Sequence, residues 1–193
     1  MRSWSILMSY KIDSEIFLAV PRPRKDAERL FQLIDSDRGF FRKFLPWVDA
    51  IESYKNEEDF LSNVNINFGK ELSLNLVIWY QQEIVGMISF NHLDKLNNLA
   101  DIGYWLGKDY RGRGITTKAV KGICNIGFSD YDLNRIIIRA AIDNAASNAV
   151  AKKNGFKREG VLRKNEKLCD GYHDENIYSL LQSEWREINV RKI

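Results

Sequence analysis

The sequence predicts a mixed α/β fold, of the α+β kind, in which helices flank a mostly antiparallel, twisted sheet of about seven strands. Three observations predict it. Short apolar runs of strand length recur, and apolar residues at helical spacing fill many of the segments between them. A helix-like stretch also separates two strands near residues 100 and 135, as a parallel crossover requires. A chain of 193 residues with 45% hydrophobic and 28% charged residues suits one domain.

The first part of the chain is typical of one strand followed by three helices. Residues 16–20 are apolar and stop at Pro21 and Pro23, which interrupt a strand. Apolar residues at helical spacing predict the helices. They cover residues 26–35, 37–45 and 57–68. The second helix ends before Pro46, because a residue that precedes proline disfavours the helical conformation.

The middle of the chain changes to strand periodicity. Residues 72–80 and 84–91 are strand-like and flank the polar turn Gln81-Gln82-Glu83, which predicts a hairpin. A further strand over residues 100–106 completes an antiparallel meander.

The last part alternates helices and strands. The predicted elements are a helix over 115–128, a β-branched strand over 135–142, a helix over 145–154, and strands over 156–162 and 176–181. Gly155 closes the second of these helices, because glycine readily adopts the left-handed conformation common just after a helix. The strands near residues 100 and 135 are therefore expected to be parallel.

Composition argues against several classes of protein. The net charge of +3, from 29 basic and 26 acidic residues, is too small to indicate nucleic-acid binding by itself. No apolar run reaches the roughly 18 residues of a membrane span. Cys124 and Cys169 have no metal or redox spacing, which predicts reduced thiols, no metal and a cytoplasmic location.

The most informative segment is the turn Tyr110-Arg111-Gly112-Arg113-Gly114-Ile115-Thr116-Thr117, between a predicted strand and a predicted helix. Its glycines let the backbone approach a ligand closely, and the first N–H groups of the helix favour an anion. The two arginines add positive charge. The turn favours a pyrophosphate-bearing cosubstrate; the alternative is a tight turn whose arginines are solvated.

A second segment, residues 143–156, starts where a strand gives way to a helix. Asn144 stands at the helix N-cap position, and Ser147 shares a helix face with it. That small, polar face leaves room for a ligand chain, or it packs closely on a neighbouring element. The residues alone favour neither reading.

These two segments resemble the motifs of the GCN5-related N-acetyltransferase (GNAT) superfamily. Its acetyl-CoA motif, Gln/Arg-x-x-Gly-x-Gly/Ala, matches Arg111-x-x-Gly114-x-Thr116, with threonine in place of the final small residue. The run from Asn144 to Phe156 is similar to the ribosomal-protein N-acetyltransferase branch, RimL-like and RimJ-like. Further landmarks of that branch are Leu45-Pro46-Trp47-Val48, Ile102-Gly103-Tyr104-Trp105-Leu106 and Gly171-Tyr172-His173-Asp174. The landmarks span residues 15–182, the expected core of a single acetyltransferase domain over 1–193.

The resemblance implies a site for acetyl-CoA. Backbone N–H groups from Arg111 to Thr116 would hold the pyrophosphate, and pantetheine would lie where two central parallel strands splay apart. Asn144 would contact pantetheine, and Ser147 would protonate the leaving thiolate. The implied acetyl-CoA residues are Tyr104, Trp105, Leu106, Arg111, Gly112, Arg113, Gly114, Ile115, Thr116, Asn144, Ser147 and Lys153. The implied acceptor-binding residues are Trp47, Tyr172 and His173.

The implied reaction is direct transfer of the acetyl group to an amine, with oxyanion donors from the strand near Tyr104 to Leu106. The sequence assigns no general base: Glu71 and Glu83 near the hairpin are the carboxylates considered. An α-amine, with a pKa of about 7.7–8.0, is more readily neutral than lysine, so a protein N-terminus is the favoured acceptor. The resemblance implies a ribosomal protein. The resemblance also implies a homodimer or a higher homo-oligomer.

Three alternatives stay open at this point. The first is an enzyme that acetylates a small-molecule amine such as a polyamine or an amino-sugar. The second is a CoA-binding module without catalysis. The third is an RNA-contacting module that uses the basic residues Arg111, Arg113, Lys118 and Lys121.

Overall fold

A computed structural model describes residues 8–190 of the chain. Its strands are β1 (Ser9–Lys11), β2 (Ile16–Ala19), β3 (Leu74–Tyr80), β4 (Glu83–Asp94), β5 (Leu99–Leu106), β6 (Arg135–Ala141), β7 (Lys157–Leu168) and β8 (Gly171–Leu181). Its α-helices are α1 (Pro23–Asp35), α2 (Arg38–Phe41), α3 (Tyr54–Gly69), α4 (Ile115–Ser129), α5 (Ala145–Lys153) and α6 (Gln182–Val190).

The strands form one eight-stranded sheet in the order β1-β2-β3-β4-β5-β6-β8-β7. Every neighbouring pair is antiparallel except β5 and β6. This confirms the predicted mixed, mostly antiparallel sheet and its parallel crossover, with α4 as the crossing helix. The strand beyond the expected seven is β1, whose three residues are too short a run to show strand periodicity.

Several element boundaries differ from the sequence-based expectation. The helix predicted over 37–45 is only the four residues of α2, followed by turns. Strands β7 and β8 are much longer than the predicted 156–162 and 176–181, and they form a long hairpin. Only one of the six added β7 residues, Leu168, is hydrophobic, so hydrophobic alternation could not reveal them. Helix α6 was not predicted.

Two apolar layers cover the two faces of the sheet. On one face, Ile123 of α4 packs in a cluster with Phe90, Ile136 and Tyr178. On the other face, α1 and α3 bury a smaller cluster of Leu30, Leu61, Val77 and Met87. Alternate side chains of each strand enter opposite layers, so the central strands are buried from both sides.

The sheet opens between its two parallel strands. The pairing of β5 with β6 stops at Ile102 and Ile138, although β5 continues to Leu106 and β6 to Ala141. This confirms the expected splay. Gly107 donates its N–H to Val85 of β4, and alternate residues of a strand donate to opposite sides. The N–H groups of Tyr104 and Leu106 therefore point into the gap.

Among residues 8–190, no helix is both long enough and apolar enough to cross a membrane.

Candidate active site

A cleft of about 940 Å³ includes the gap between β5 and β6 and continues over the sheet face beneath α3. The predicted site residues that line it are Trp47, Tyr104, Trp105, Leu106, Arg111, Thr116, Asn144 and Ser147. The carboxylates Glu57, Asp101, Glu166 and Glu175 also line it, against two cations, Arg111 and Arg139. The cleft is therefore richer in acidic than in basic groups, which suits a cationic amine.

The glycine turn leads directly into α4. Gly112 and Gly114 have φ values of 77° and 76°, a left-handed conformation that glycine adopts without strain. A Cβ built at either position would meet no atom within 4 Å, so the space in front of the turn is open. The first backbone bond of the helix runs from Lys118 N to Gly114 O, which leaves the N–H groups of Ile115, Thr116 and Thr117 pointing outward. These are donors suited to a phosphate group.

The Arg111 side chain points away from this turn. Its Nε donates to Leu106 O at 3.0 Å, and its Nη1 lies 2.6 Å from Asp37 Oδ2. The guanidinium also stacks 3.8 Å from the ring centroid of Phe40. Arg111 thus connects α2 to the end of β5. Because Asp37 neutralises the charge of Arg111, Arg113 is the arginine of the turn whose positive charge can attract an anion. The Ile115 side chain is buried in the core, so its backbone N–H is the group it presents to the turn.

Ser147 stands in the first turn of α5, beside the gap. Its Oγ lies 2.8 Å from the Tyr104 hydroxyl, and its N–H donates to Asn144 Oδ1 at 3.1 Å. Burial raises the pKa of Tyr104 to about 12, so its hydroxyl keeps its proton and can donate to the serine oxygen. A tyrosine-supported serine hydroxyl therefore lies at the point where the parallel strands separate.

A buried hydrogen-bond network fixes the first turn of α5 against the sheet. Asn148 Nδ2 donates to Ala141 O and Asn144 O, and Asn148 Oδ1 accepts from Asn176 and Tyr178. Since buried polar groups are costly when unpaired, this fully used amide specifies one position for the helix. The helix pattern alone did not single out Asn148, which follows Ser147 directly and holds it in place.

Two carboxyl groups meet on the opposite side of the cleft. Glu166 of β7 is half-buried, and its carboxyl, when protonated, donates a hydrogen bond to the carboxylate of Glu175 on β8. Burial, and then the neighbouring charge of Glu175, raise the pKa of Glu166 to about 7. A carboxylate that titrates near neutral pH is suited to accept a proton. Sequence reasoning missed both residues because β7 and β8 were predicted too short to include Glu166 and Glu175.

The carboxylates that the sequence did suggest lie elsewhere. Glu71 pairs with Lys95 at 2.6 Å, and Glu83 accepts a hydrogen bond from Tyr110 at 2.6 Å. Neither residue lines the cleft.

The remaining predicted residues lie around the cleft or outside it. Trp47 is 38% exposed and tilts against Trp105 with ring centroids 6.4 Å apart. His173 lies directly opposite Glu166 in the β7–β8 pair, and its Nε2 lies 2.7 Å from Asp170, which raises the pKa of the imidazole. Tyr172 and Lys153 are exposed beyond the cleft lining.

Two further observations concern metals and thiols. Among residues 8–190, no group of three or more His, Cys, Asp and Glu side chains has the placement of a metal site. Cys124 is buried and Cys169 exposed, and both are free thiols. Burial raises the pKa of Cys124, so this thiol is a poor nucleophile.

A mixed sheet that opens between two parallel strands, with a glycine turn at the start of the crossing helix, is the architecture of an N-acetyltransferase. The GNAT acetyltransferase domain profile matches residues 16–157. The ribosomal-protein-serine acetyltransferase of Escherichia coli is 35% identical over 153 residues, which cover 78% of this chain and 84% of that protein.

Solved structures agree with this likeness. The microcin self-immunity acetyltransferase MccE, in complex with acetyl-CoA and AMP, has a TM-score of 0.85 and 35% identity, over 90% of this chain and 96% of that one. RimL, a ribosomal-protein α-N-acetyltransferase in complex with coenzyme A, has a TM-score of 0.87 and 26% identity, over 93% and 99%. The chain belongs to the GNAT acetyltransferase family, in its RimL-like branch.

The glycine turn gives a first testable prediction. Replacing Gly114 with Ala puts a side chain on a residue with φ of 76°, which costs about 1 kcal/mol and disturbs the start of α4. We expect coenzyme A affinity to fall roughly 5-fold, the factor to which about 1 kcal/mol corresponds. Calorimetric titration measures this, with Gly69→Ala as the control, since Gly69 has equal space around it and lies outside the cleft. Unchanged affinity in Gly114→Ala would argue against binding at this turn.

Proposed function

We propose that this protein uses acetyl-CoA to acetylate the N-terminal α-amine of a protein in the cytoplasm, with ribosomal proteins as the first candidates. The observation that carries the proposal is the meeting of two kinds of proton-handling group in one open cleft. Ser147 with Tyr104 stands on one side, and Glu166 with Glu175 on the other. The relatives named above, which include a ribosomal-protein-serine acetyltransferase, support the same reading.

The residues present fit acetyl-CoA. The outward N–H groups of Ile115, Thr116 and Thr117 and the charge of Arg113 would hold the pyrophosphate, next to the open glycine turn. The unpaired part of the β5–β6 gap would take the pantetheine arm, beside Asn144 and the tyrosine-supported Ser147. Lys153, exposed at the end of α5, would contribute charge only at the margin of the bound nucleotide.

Bound acetyl-CoA supplies a thioester carbonyl as the acetyl donor. Glu166 would accept the proton that the acceptor nitrogen loses as it bonds to the carbonyl carbon. The inward N–H groups of Tyr104 and Leu106 would stabilise negative charge on the carbonyl oxygen. Ser147 Oγ would give its proton to the departing thiolate sulfur, while the Tyr104 hydroxyl keeps the serine oriented.

The acceptor follows from the strength of the base. A carboxylate with a pKa of about 7 is a weak base, and it is matched to an α-amine at about 7.7–8.0 better than to a lysine at about 10.4. The excess of carboxylates also favours a cation in the cleft. Trp47 at its mouth, and His173 and Tyr172 on the β7–β8 hairpin, would contact the acceptor outside the reacting amine.

Mass spectrometry of ribosomal proteins incubated with the enzyme and acetyl-CoA tests this function. We expect an added acetyl group on the N-terminal residue of one protein, absent when the enzyme is omitted. Acetylation of lysine side chains alone, or of free small amines alone, would contradict the proposal.

A second candidate is a small-molecule amine that carries an aromatic ring. The cleft presents exposed rings from Phe40, Trp47 and Phe60, and the similar acetyltransferase MccE was solved with AMP. The same incubation with aromatic amines as acceptors distinguishes this candidate from a protein acceptor.

The RNA-binding alternative loses support from the ion pairs. Arg111 is engaged by Asp37 and Lys118 by Asp13, so two of the four basic residues have their charge compensated. A compensated cation releases few counterions from a nucleic acid.

A further inference from the structure

One buried carboxyl of the cleft has no part in the reaction described above. Glu57 lies in the first turn of α3, is only 1% exposed, and lines the cleft with Phe60, Val64 and Asn67 from the same helix face. Capping does not account for it, because Ser53 caps this helix by accepting from Asn56 N. Helix capping therefore does not explain why the Glu57 carboxyl is buried in the cleft.

The carboxyl of Glu57 is the one charged group of the cleft lining without a partner within the described part of the chain. The pairs of the others are Arg111–Asp37, Arg139–Asp101, Asp101–Asn91 and Glu175–Asn165 with Glu166. Burial alone raises the pKa of Glu57 to about 7. A buried carboxylate without a partner is costly, so a cation that entered the cleft beside it would be bound favourably.

Glu57 is remote from the reaction centre. Its helix packs on β3, whereas Ser147 follows β6, and β4 and β5 lie between these strands. Three strand spacings amount to about 14 Å. A base must lie within hydrogen-bond reach of the reacting amine, so Glu57 would contact a different part of the same acceptor.

The surroundings of Glu57 also favour a cation. Phe60, on the same face of α3, is 40% exposed, and Trp47 on the facing loop is 38% exposed. Aromatic faces attract ammonium and guanidinium groups. A carboxyl in a cleft that also carries such rings is suited to the head group of a lysine or an arginine.

We propose that Glu57 binds a second cationic group of the acceptor, the side chain of a lysine or arginine within about the first four residues of the acetylated peptide. An extended peptide advances about 3.3–3.6 Å per residue, so the backbone of the third or fourth residue lies roughly 7–10 Å from the first, and a long lysine or arginine side chain covers the rest of the distance. This inference rests on the proposed function, because it requires a peptide acceptor.

The test compares two synthetic peptides with the same N-terminal residue, one with lysine at its third and fourth residues and one with glutamine there. For the unmodified enzyme we expect kcat/KM to be roughly 10- to 100-fold higher with the lysine peptide, as for a desolvated charge pair. Glu57→Gln should lower kcat/KM for the lysine peptide towards the value for the glutamine peptide. Glu58→Gln is the matched control: it removes the same charge from the next residue, which lies outside the cleft and pairs with Lys55.

The outcomes separate this inference from the proposed function. Equal rates with both peptides would overturn the role of Glu57 and leave N-terminal acetylation standing. Acetylation of free amines but of neither peptide would overturn both. An equal loss on the two peptides in Glu57→Gln, with an unchanged thermal midpoint, would show that Glu57 serves the reaction itself and would also overturn the inference. The comparison made with the unmodified enzyme requires no variant to fold.

Discussion

Replacing Ser147 with Ala is expected to lower the rate of acetyl transfer roughly 10- to 1000-fold and to leave coenzyme A affinity nearly unchanged. The hydroxyl is oriented by Tyr104 at 2.8 Å, and its proposed task is to protonate the leaving thiolate. The helix start survives the change, because the bond to Asn144 is donated by the backbone N–H of residue 147, which alanine keeps. Steady-state kcat and a calorimetric titration with coenzyme A measure the two quantities.

Ser62→Ala is the matched control for this change. Its hydroxyl donates to Glu58 O at 2.8 Å within α3, outside the cleft lining. We expect that variant to transfer acetyl groups at the unmodified rate. If Ser147→Ala did the same, Ser147 would not be the proton donor. If neither variant nor the unmodified protein transferred acetyl groups to any amine, a CoA-binding module without catalysis would be the better description.

The sheet and its opening could be predicted because short stretches of the sequence indicate their elements. The meander, the crossover helix and the glycine turn each carry a signal within about ten residues, in strand alternation, helical spacing or the placement of glycine. The turn before α4 was therefore located to the residue. Gly112 and Gly114 do have the positive φ values that make glycine necessary there.

The acidic side of the cleft could not be predicted in the same way. Glu166 lies in an exposed, charged strand whose sequence shows no alternation, and it becomes significant only when Glu175 approaches from the neighbouring strand. Glu57 looks like an ordinary acidic residue of a first helical turn until α3 is packed on the sheet. Their raised pKa values arise from burial, a property of tertiary packing that no local pattern reports.

The side chain of Arg111 could not be predicted either. The spacing of Arg111 and Gly114 indicated the glycine turn before α4, but the guanidinium folds back on Asp37 and Phe40. Asp37, which lies 74 positions earlier in the chain, neutralises the charge of Arg111, and no local sequence pattern indicates that contact.

Replacing Glu166 with Gln is expected to lower kcat/KM roughly 100-fold or more at pH 8 and to change its pH dependence. With a pKa of about 7, the carboxyl of the unmodified enzyme is mostly protonated at pH 6 and mostly ionised at pH 8. Only the ionised form accepts a proton, so activity should rise with pH through about 7. Glutamine cannot accept that proton at any pH, and the rise near 7 should disappear.

The titration of the acceptor amine must be separated from that of Glu166, because an α-amine also loses its proton near pH 7.7–8.0. Both enzymes meet the same amine, so its contribution stays in both profiles and cancels in their ratio. The ratio of unmodified to Glu166→Gln activity should therefore rise with pH through about 7 and level off near pH 8. Glu159→Gln is the control: that carboxylate of the same strand has a pKa lowered by Arg135 to about 2, lies outside the cleft, and stays ionised throughout this range. A pH-independent ratio for Glu166→Gln would exclude Glu166 as the base and direct attention to Glu175, its neighbour in the cleft.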